Sequence, residues 1–316
     1  MNRVCKILGI QKPVIQAPMT WITSPELVAA VSNAGGLGVL GPNGGFEQPV
    51  YTVEETVEEM RKTIRKTKKL TSKPFGMNVF PSQSDAHGFS KAIIQLCKEE
   101  GVKILACFRK PSPEEIRQWK EDSFTVMIRE PTPTVRNAIE IEKNGADIIV
   151  VTGCDEGGFV PSNSMGTIAA VALISNAVTI PVIAAGGIVN EKMAKAAAIV
   201  GAEGAYVGSR FILSKECRAA QTIKEDIMNT HPDDLIIFSN QGGEAHWRAT
   251  PHKTGKDALQ ANKNGDYNPS HGNYYLGIYK GDVDASITTV NNVISLVKSI
   301  DSSEDIVNEI AKGFDC

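Results

Sequence analysis

The 316-residue sequence predicts an α/β fold in which eight parallel strands close into a barrel. Three observations support this prediction. Short apolar runs alternate with helical patterns up to about residue 213, and the runs are nearly continuous, as in strands buried on both faces. Two glycine turns, Gly186-Gly187 and Gly208-Ser209, follow the seventh and eighth runs and are separated by one helix and one strand. This layout is typical of a (β/α)8, or TIM, barrel rather than an open sheet.

The eight strands are short apolar segments bounded by turn-forming residues. They are predicted at Val14–Gln16, Gly38–Leu40, Phe75–Val79, Ile104–Cys107, Thr125–Ile128, Asp147–Val151, Val182–Ala185 and Ala205–Val207. Because each is followed by a helical pattern, the chain contains eight successive βα units.

Helices are predicted between the strands. The first begins after Ser24, a suitable N-cap, with Pro25 at the first helical position. The predicted helices are Glu26–Asn33, Val53–Leu70, Lys91–Glu100, Pro113–Trp119, Val135–Lys143, Ile168–Asn176, Glu191–Val200 and Glu216–Asn229. Glycines stand where C-caps are expected, at Gly35, Gly101, Gly145 and Gly201.

The βα pattern breaks after residue 230, where Gly, Asn, His and aromatic residues become frequent. We predict that residues 1–229 and 283–316 form the barrel. Residues 230–282 are predicted to be a lid or substrate-binding insertion over its C-terminal mouth. A peripheral subdomain or an oligomer contact is the alternative. Further helices are predicted at Ile287–Ile300 and Glu304–Lys312.

Composition excludes several classes of partner. The net charge of −3 indicates neither a nucleic-acid nor a membrane partner, and no apolar stretch approaches the length of a membrane span. The N-terminus lacks the long apolar region of a secretory signal, so a cytoplasmic location is expected. The six scattered cysteines indicate reduced thiols rather than disulfides or a metal site. A homodimer is compatible with the aromatic-rich segment.

Ligands of such barrels bind at the C-terminal ends of the strands. The glycine turns after the seventh and eighth strands suit a phosphate, because backbone N–H groups can approach it closely. Two ordinary left-handed turns are the alternative. After the third strand, Asn78 offers donors and acceptors to a ring with alternating N–H and C=O groups. Together these features favour FMN, although the phosphate turns alone would equally suit a sugar phosphate or a nucleotide.

Several motifs resemble the nitronate monooxygenase family (formerly 2-nitropropane dioxygenases), which also includes flavin-dependent enoyl-acyl-carrier-protein reductases. They occur in family order over about residues 10–215: Pro13–Met19, Ala34–Gly38, Phe75–Asn78, Gly145–Asp147, Glu156–Gly158, Pro181–Ile188 and Gly201–Phe211. The resemblance implies an FMN-binding TIM barrel. It implies FMN contacts with Ala17, Pro18, Met19, Asn78, Thr152, Gly157 and Gly158, and phosphate contacts with Gly186, Gly187, Gly208 and Ser209.

One position departs from the family pattern. Studied members carry a histidine directly after the Gly-Gly of the loop that follows the sixth strand, and this chain has Phe159 there. A phenyl ring cannot accept a proton, so the catalytic base is not identified by the sequence. The candidates to replace it are Asp155 and Glu156 in the same loop and His246 and His271 in the lid. Arg129 is a further candidate, as a positive charge beside the flavin or as the partner of Glu130 or another acid.

Three functions follow. The first is an FMN-dependent oxidation of alkyl nitronates with O2, with a strong preference for preformed anionic nitronates because Phe159 replaces the family histidine. The second is an NAD(P)H-dependent reduction of an enoyl thioester by FMN. The third is a barrel that binds flavin or a phosphate ligand without redox turnover.

Overall fold

The structure is a computed structural model that describes residues 2–243 and 245–315. Its strands are β1 (Val14–Gln16), β2 (Leu37–Leu40), β3 (Phe75–Val79), β4 (Ile104–Phe108), β5 (Thr125–Arg129), β6 (Ile148–Thr152), β7 (Gly158–Val160), β8 (Val182–Ala185), β9 (Gly204–Val207), β10 (Ile236–Asn240) and β11 (Ala245–Ala249). Eight of them form a closed parallel barrel in the order β1-β2-β3-β4-β5-β6-β8-β9, and β9 pairs back onto β1. The predicted barrel is confirmed, with each predicted strand within one residue of the observed bounds.

The helices are α1 (Arg3–Leu8), α2 (Pro25–Asn33), α3 (Val53–Leu70), α4 (Phe89–Glu99), α5 (Pro113–Glu121), α6 (Val135–Lys143), α7 (Thr167–Ser175), α8 (Glu191–Ile199), α9 (Ser209–Ile212), α10 (Gln221–Asn229), α11 (Lys253–Lys263) and α12 (Ser303–Ala311). Local sequence sets their ends. Ser24 caps α2 by accepting the Leu27 N–H, and Thr52 forms a capping box with Glu55 at α3. In the described residues, no helix combines the length and apolar character needed to cross a bilayer.

The barrel has two apolar layers. Alternate strand residues such as Ile15, Val39 and Ile148 fill its interior, whereas neighbours such as Val14, Leu40 and Ile149 pack beneath the surrounding helices. Both sets are buried, which explains the continuous apolar runs in the sequence. Burying each such side chain contributes roughly 1.5–3 kcal/mol to folding.

A small antiparallel sheet is attached to the C-terminal mouth of the barrel, in the order β10-β11-β7. Strand β7 belongs to the loop between β6 and α7, and Phe159 on it lies opposite Trp247 on β11. The sheet is therefore joined to the barrel through the same loop in which the sequence placed the candidate catalytic residues.

One helix prediction was wrong, and a second placed the start of its helix too early. Residues 287–300 are not a helix: Thr289 bridges Ala249, and only Ile294–Leu296 make a 3-10 turn. The β-branched run from Ile287 to Val290 is extended because it is buried against the small sheet and the barrel mouth. Helix α10 begins at Gln221 rather than Glu216, whose carboxylate instead accepts the N–H and hydroxyl of Ser303 at the start of α12.

Candidate active site

A cavity of about 710 Å³ opens at the C-terminal ends of the barrel strands. Its volume lies within the roughly 300–1,000 Å³ range of small-molecule sites. Among the residues that line it are ten of the eleven predicted cofactor contacts: Ala17, Pro18, Met19, Asn78, Gly157, Gly158, Gly186, Gly187, Gly208 and Ser209. Thr152, the eleventh, is not among the lining residues; its hydroxyl accepts a hydrogen bond from Arg129 Nε at 3.0 Å.

The turns after β8 and β9 form one wall of this cavity. Gly186 and Gly187 have φ values of 100° and 72°, which only glycine adopts without strain. A Cβ on Gly208 would meet only Ala17 Cβ, at 3.7 Å, so space beside this turn is open. In the described part of the chain, the N–H groups of Gly187 and Gly208 donate to no protein acceptor. These turns therefore offer free N–H donors of the kind that phosphate groups accept.

Ser209 adds a hydroxyl donor to the same wall. Its Oγ accepts the Asn291 N–H at 3.0 Å, and this contact leaves the hydroxyl hydrogen available. The side chain is buried at the cavity edge. Asn291 belongs to the extended segment that the sequence mispredicted as a helix, so the segment orients this donor.

Asn78 on β3 lies on the opposite side of the barrel mouth, and a hydrogen bond to the adjacent strand β4 orients its side chain. Its Nδ2 donates to the Ala106 carbonyl oxygen at 2.9 Å. The amide oxygen and the second amide hydrogen are left for a ligand. The side chain can thus pair with a ring that carries adjacent N–H and C=O groups, as the sequence predicted.

A buried ion pair lies at the floor of the cavity. Arg129 Nη2 donates to Glu156 Oε2, and the guanidinium lies 5.0 Å from the Phe108 ring centroid. Glu156 Oε1 has no hydrogen-bond partner in the described residues. Burial raises the pKa of the Glu156 carboxyl to about 7, and the charge of Arg129 opposes that shift. Arg129 is therefore paired with Glu156 rather than with Glu130, and Glu156 is a carboxyl group that titrates near neutrality.

Asp155, the other acidic candidate, is occupied by structural hydrogen bonds. Its carboxylate oxygens accept the Thr167 N–H at 2.6 Å and the Asn292 Nδ2 at 2.9 Å. It is not among the residues that line the cavity. Asp155 therefore joins the start of α7 to the C-terminal segment, and this arrangement does not favour it as a base.

The two candidate histidines of the predicted lid lie in different places, His246 on β11 and His271 outside the small sheet. His246 contacts the Ser239 hydroxyl at 3.2 Å and is not among the cavity-lining residues. His271 lines the cavity, and burial lowers the pKa of its imidazole. Of the two, only His271 is positioned to influence a ligand in this cavity.

Aromatic side chains form the wall opposite the glycine turns. Phe159 contacts Phe108 and Trp247 with ring centroids 5.8 and 6.0 Å apart, and Trp247 contacts His271 at 4.4 Å. The Arg109 guanidinium lies 5.9 Å from the centroid of Phe159, and it forms no ion pair with any of the described residues. We call Phe108, Phe159, Trp247 and His271 the aromatic wall. Sequence reasoning missed Phe108 and Arg109, because they come from a segment that carries no motif. Trp247 and Tyr274 belong to the aromatic-rich segment predicted to be a lid, but the sequence did not single them out as site residues.

The match to known families agrees with this geometry. The model of the family described as "Nitronate monooxygenase" matches residues 1–313. The chain belongs to the nitronate monooxygenase family. A probable nitronate monooxygenase from Staphylococcus aureus strain MSSA476 is 32% identical over 283 residues, which cover 77% of this chain and 76% of that protein. The resemblance noted in the sequence is therefore confirmed.

Solved structures show the same fold. FabK from Thermotoga maritima superposes with a TM-score of 0.83 at 26% identity, covering 99% of this chain and 96% of that one. A nitroalkane oxidase from Streptomyces ansochromogenes superposes with a TM-score of 0.77 at 21% identity, covering 99% and 98%. The nitronate monooxygenase family comprises flavin-dependent oxidoreductases, and this chain is an enzyme of that class.

Proposed function

We propose that this member of the nitronate monooxygenase family binds FMN and oxidises alkyl nitronates with O2, and that it uses preformed anionic nitronates far better than neutral nitroalkanes. The observation that carries the substrate preference is Phe159, which lies in the aromatic wall at the position where the family resemblance implies a histidine. Residues 230–282, as the predicted lid, would bring Trp247 and His271 over the bound substrate.

The residues present fit FMN. The open space at Gly208, the free N–H groups of Gly187 and Gly208, and the Ser209 hydroxyl suit its phosphate. Asn78 would hold the polar edge of the ring, with the residues from Ala17 to Met19 beside it. When bound, FMN supplies the redox centre that takes electrons from the substrate and passes them to O2.

Positive charge in the cavity supports an anionic substrate. Arg129 is neutralised by Glu156 when that carboxyl is ionised, whereas Arg109 at the edge of the aromatic wall has no carboxylate partner in the described residues. A nitronate is an anion and needs no base to remove a proton. A neutral nitroalkane must first lose a proton, and the Phe159 ring cannot accept it.

Steady-state turnover of one substrate in both forms tests this function. The nitronate and the neutral form of the same nitroalkane are supplied to the FMN-loaded enzyme, and oxygen uptake is followed. General-base catalysis is worth about 10²–10⁴-fold, so we expect kcat/KM for the nitronate to exceed that for the neutral form by at least 100-fold. Equal values for the two forms would contradict the proposed preference.

A second candidate function is the NAD(P)H-dependent reduction of an enoyl thioester. The observation that favours it is the likeness to FabK, whose TM-score of 0.83 is higher than that of the nitroalkane oxidase. An assay of NADPH oxidation, with and without an enoyl thioester, separates the two candidates. Thioester-dependent NADPH oxidation in the absence of any nitronate would favour the reductase.

A further inference from the structure

The hydrogen-bond pattern at the small sheet fixes the orientation of the Asn240 side chain. Asn240 Oδ1 accepts the Gln241 N–H at 2.5 Å, so the oxygen is the end of the amide that faces the backbone donor. The Nδ2 end donates to the Pro269 carbonyl oxygen at 3.2 Å and lies 2.6 Å from His271 Nε2. Because a carbonyl oxygen accepts only, exchanging the two ends of the amide would lose both of the backbone contacts.

This orientation determines the tautomer of His271. An amide nitrogen can only donate, so His271 Nε2 must be the unprotonated nitrogen that accepts from Asn240. The ring is neutral as well, since burial lowers the pKa of His271. In a neutral imidazole the proton then lies on Nδ1.

The Nδ1–H of His271 in turn orients the Tyr274 hydroxyl. The two atoms are 3.3 Å apart, and Nδ1–H donates to the phenol oxygen. The phenol keeps its own hydrogen, because burial raises the pKa of Tyr274 well above its ordinary value. No other hydrogen bond of this hydroxyl is formed within residues 2–243 and 245–315, and both Tyr274 and His271 line the cavity.

We infer that Tyr274, oriented by His271 and Asn240, is the hydrogen-bond donor that receives an oxyanion of the substrate opposite the glycine turns. The inference deepens the proposed function and rests on it for the nature of the substrate, a small organic anion with two oxygen atoms. No proton is transferred: the phenol donates, and the imidazole N–H strengthens that donation by bonding to the phenol oxygen. Tyr274 would thus supply a polar contact that Phe159 cannot.

Tyr275 provides a matched control, because it directly follows Tyr274 and is the first residue of the π-helical turn Tyr275–Tyr279 that Tyr274 precedes. Its hydroxyl donates to Gln48 Oε1 at 3.4 Å, and its ring packs on Trp21 at 5.0 Å. It is not among the residues that line the cavity. A Tyr275→Phe variant therefore removes a hydroxyl from the same segment without changing the proposed contact.

Binding of isobutyrate to the FMN-loaded enzyme tests the inference. Isobutyrate has the same charge, the same two oxygen atoms and the same branched arrangement of heavy atoms as the 2-nitropropane nitronate, but it cannot react. Its binding is followed by the change in the visible flavin spectrum. We expect Tyr274→Phe to weaken binding at least 10-fold and Tyr275→Phe to change it less than 2-fold. Equal binding by wild type and Tyr274→Phe, or no isobutyrate binding by wild type, would overturn the inference.

Turnover of the 2-nitropropane nitronate by the same proteins separates this inference from the proposed function. Tyr274-dependent isobutyrate binding without nitronate oxidation would retain the inference and reject the proposed function. Nitronate oxidation by the wild type, with an unchanged kcat/KM in Tyr274→Phe, would retain the proposed function and reject the inference.

A second measurement needs no substitution. In the wild-type protein, the ¹⁵N chemical shifts of His271 should show a protonated Nδ1 and an unprotonated Nε2 at pH 7.5. A proton on Nε2 would overturn the inference, because Nδ1 would then accept from the phenol instead of orienting it.

Discussion

The two sides of the cavity are built in different ways. The side formed by the turns after β8 and β9 consists of backbone and glycine, with Ser209 as its one polar side chain. The opposite side is made of aromatic side chains and Arg109, drawn from β4, β7, β11 and the segment around His271. The backbone and glycine side suits a cofactor that stays the same. On the aromatic side, single side-chain substitutions can change which substrate is accepted. The comparison indicates that a family can keep the cofactor side while varying the chemistry opposite it.

The loop between β6 and β7, which also lines the cavity, should not tolerate an added methyl group where it meets the C-terminal segment. A Cβ on Gly157 would lie 2.2 Å from the Val290 carbonyl carbon, so either the loop or the segment must move. We expect Gly157→Ala to lower the free energy of unfolding by more than about 3 kcal/mol in urea denaturation.

The control for this variant is Gly145→Ala. Gly145 has a φ of 95°, and a methyl group added to it would have no atom within 4 Å, so this variant reports backbone strain of about 1–2 kcal/mol without crowding. If the two variants lose the same stability, crowding against Val290 is not what constrains the loop at Gly157.

The buried carboxyl at the cavity floor should make stability depend on pH. Glu156 has an ordinary pKa of 4.5 when unfolded and about 7 when folded, so the folded state holds the extra proton between these values. The free energy of unfolding should therefore fall by about 3 kcal/mol from pH 4.5 to pH 8, at roughly 1.4 kcal/mol for each unit of pKa shift.

A Glu156→Gln variant should lose this dependence of stability on pH, while its amide oxygen can still accept a hydrogen bond from Arg129.

The charged and titratable groups near Glu156 are Arg129 on β5, Arg248 on β11 and Tyr206 on β9. His271 contributes a slope of the opposite sign below pH 6.5, because its folded pKa is lowered, and this cancels in the comparison with wild type. Glu142→Gln is the control: hydrogen bonds from Thr179 lower the pKa of Glu142, so its titration lies below pH 4.5. An unchanged slope in Glu156→Gln would show that this carboxyl is ionised in the folded protein throughout.

The aromatic side should gain a reaction by one substitution. Phe159→His would place an imidazole beside Trp247 and Phe108, at the loop position where the family resemblance implies a histidine. We expect kcat/KM for a neutral nitroalkane to rise about 100-fold, with kcat/KM for its nitronate within about 3-fold of wild type. Phe159→Leu serves as the control for lost packing. Equal gains in both variants would indicate a change in cavity shape rather than a restored base.

The smallest effect is expected at the Ser209 hydroxyl. Ser209→Ala removes one donor to the phosphate, and a hydrogen bond to a charged group contributes about 1.5–3 kcal/mol. We expect the dissociation constant of FMN for the apoprotein to rise at least 10-fold in a flavin fluorescence titration. Ser214→Ala is the control, because its buried hydroxyl already donates to the Phe211 carbonyl oxygen at 2.8 Å. Unchanged affinity in Ser209→Ala would place the phosphate elsewhere.

The same comparison explains what the sequence could and could not predict. Strand periodicity, glycine turns and caps are local, so the barrel and the β8–β9 turns were predicted to within one residue. The aromatic wall depends on pairing between β7 and β11, nearly ninety positions apart, and no local pattern encodes it. The apolar residues between Ile287 and Ile300 have helical spacing, but the β-branched run from Ile287 to Val290 favours the extended backbone that bridges Ala249.

Glu156 shows, at a single residue, that contacts made in the tertiary structure cannot be predicted from local sequence. Its place in a glycine-rich acidic loop was visible in the sequence, but its pairing with Arg129 and its burial follow from the closure of β5 against β6. Asp155, its immediate neighbour, is directed instead to the start of α7. Which of two adjacent carboxylates faces a cavity is decided by tertiary structure.

The most direct test of this account is the visible absorption spectrum of the purified protein under anaerobic conditions. We predict a flavin spectrum that is bleached by an alkyl nitronate, is unchanged by NADPH, and returns when O2 is admitted. Bleaching by NADPH but not by the nitronate would contradict the account in favour of the reductase. A colourless protein that takes up no added FMN would contradict the cofactor assignment itself.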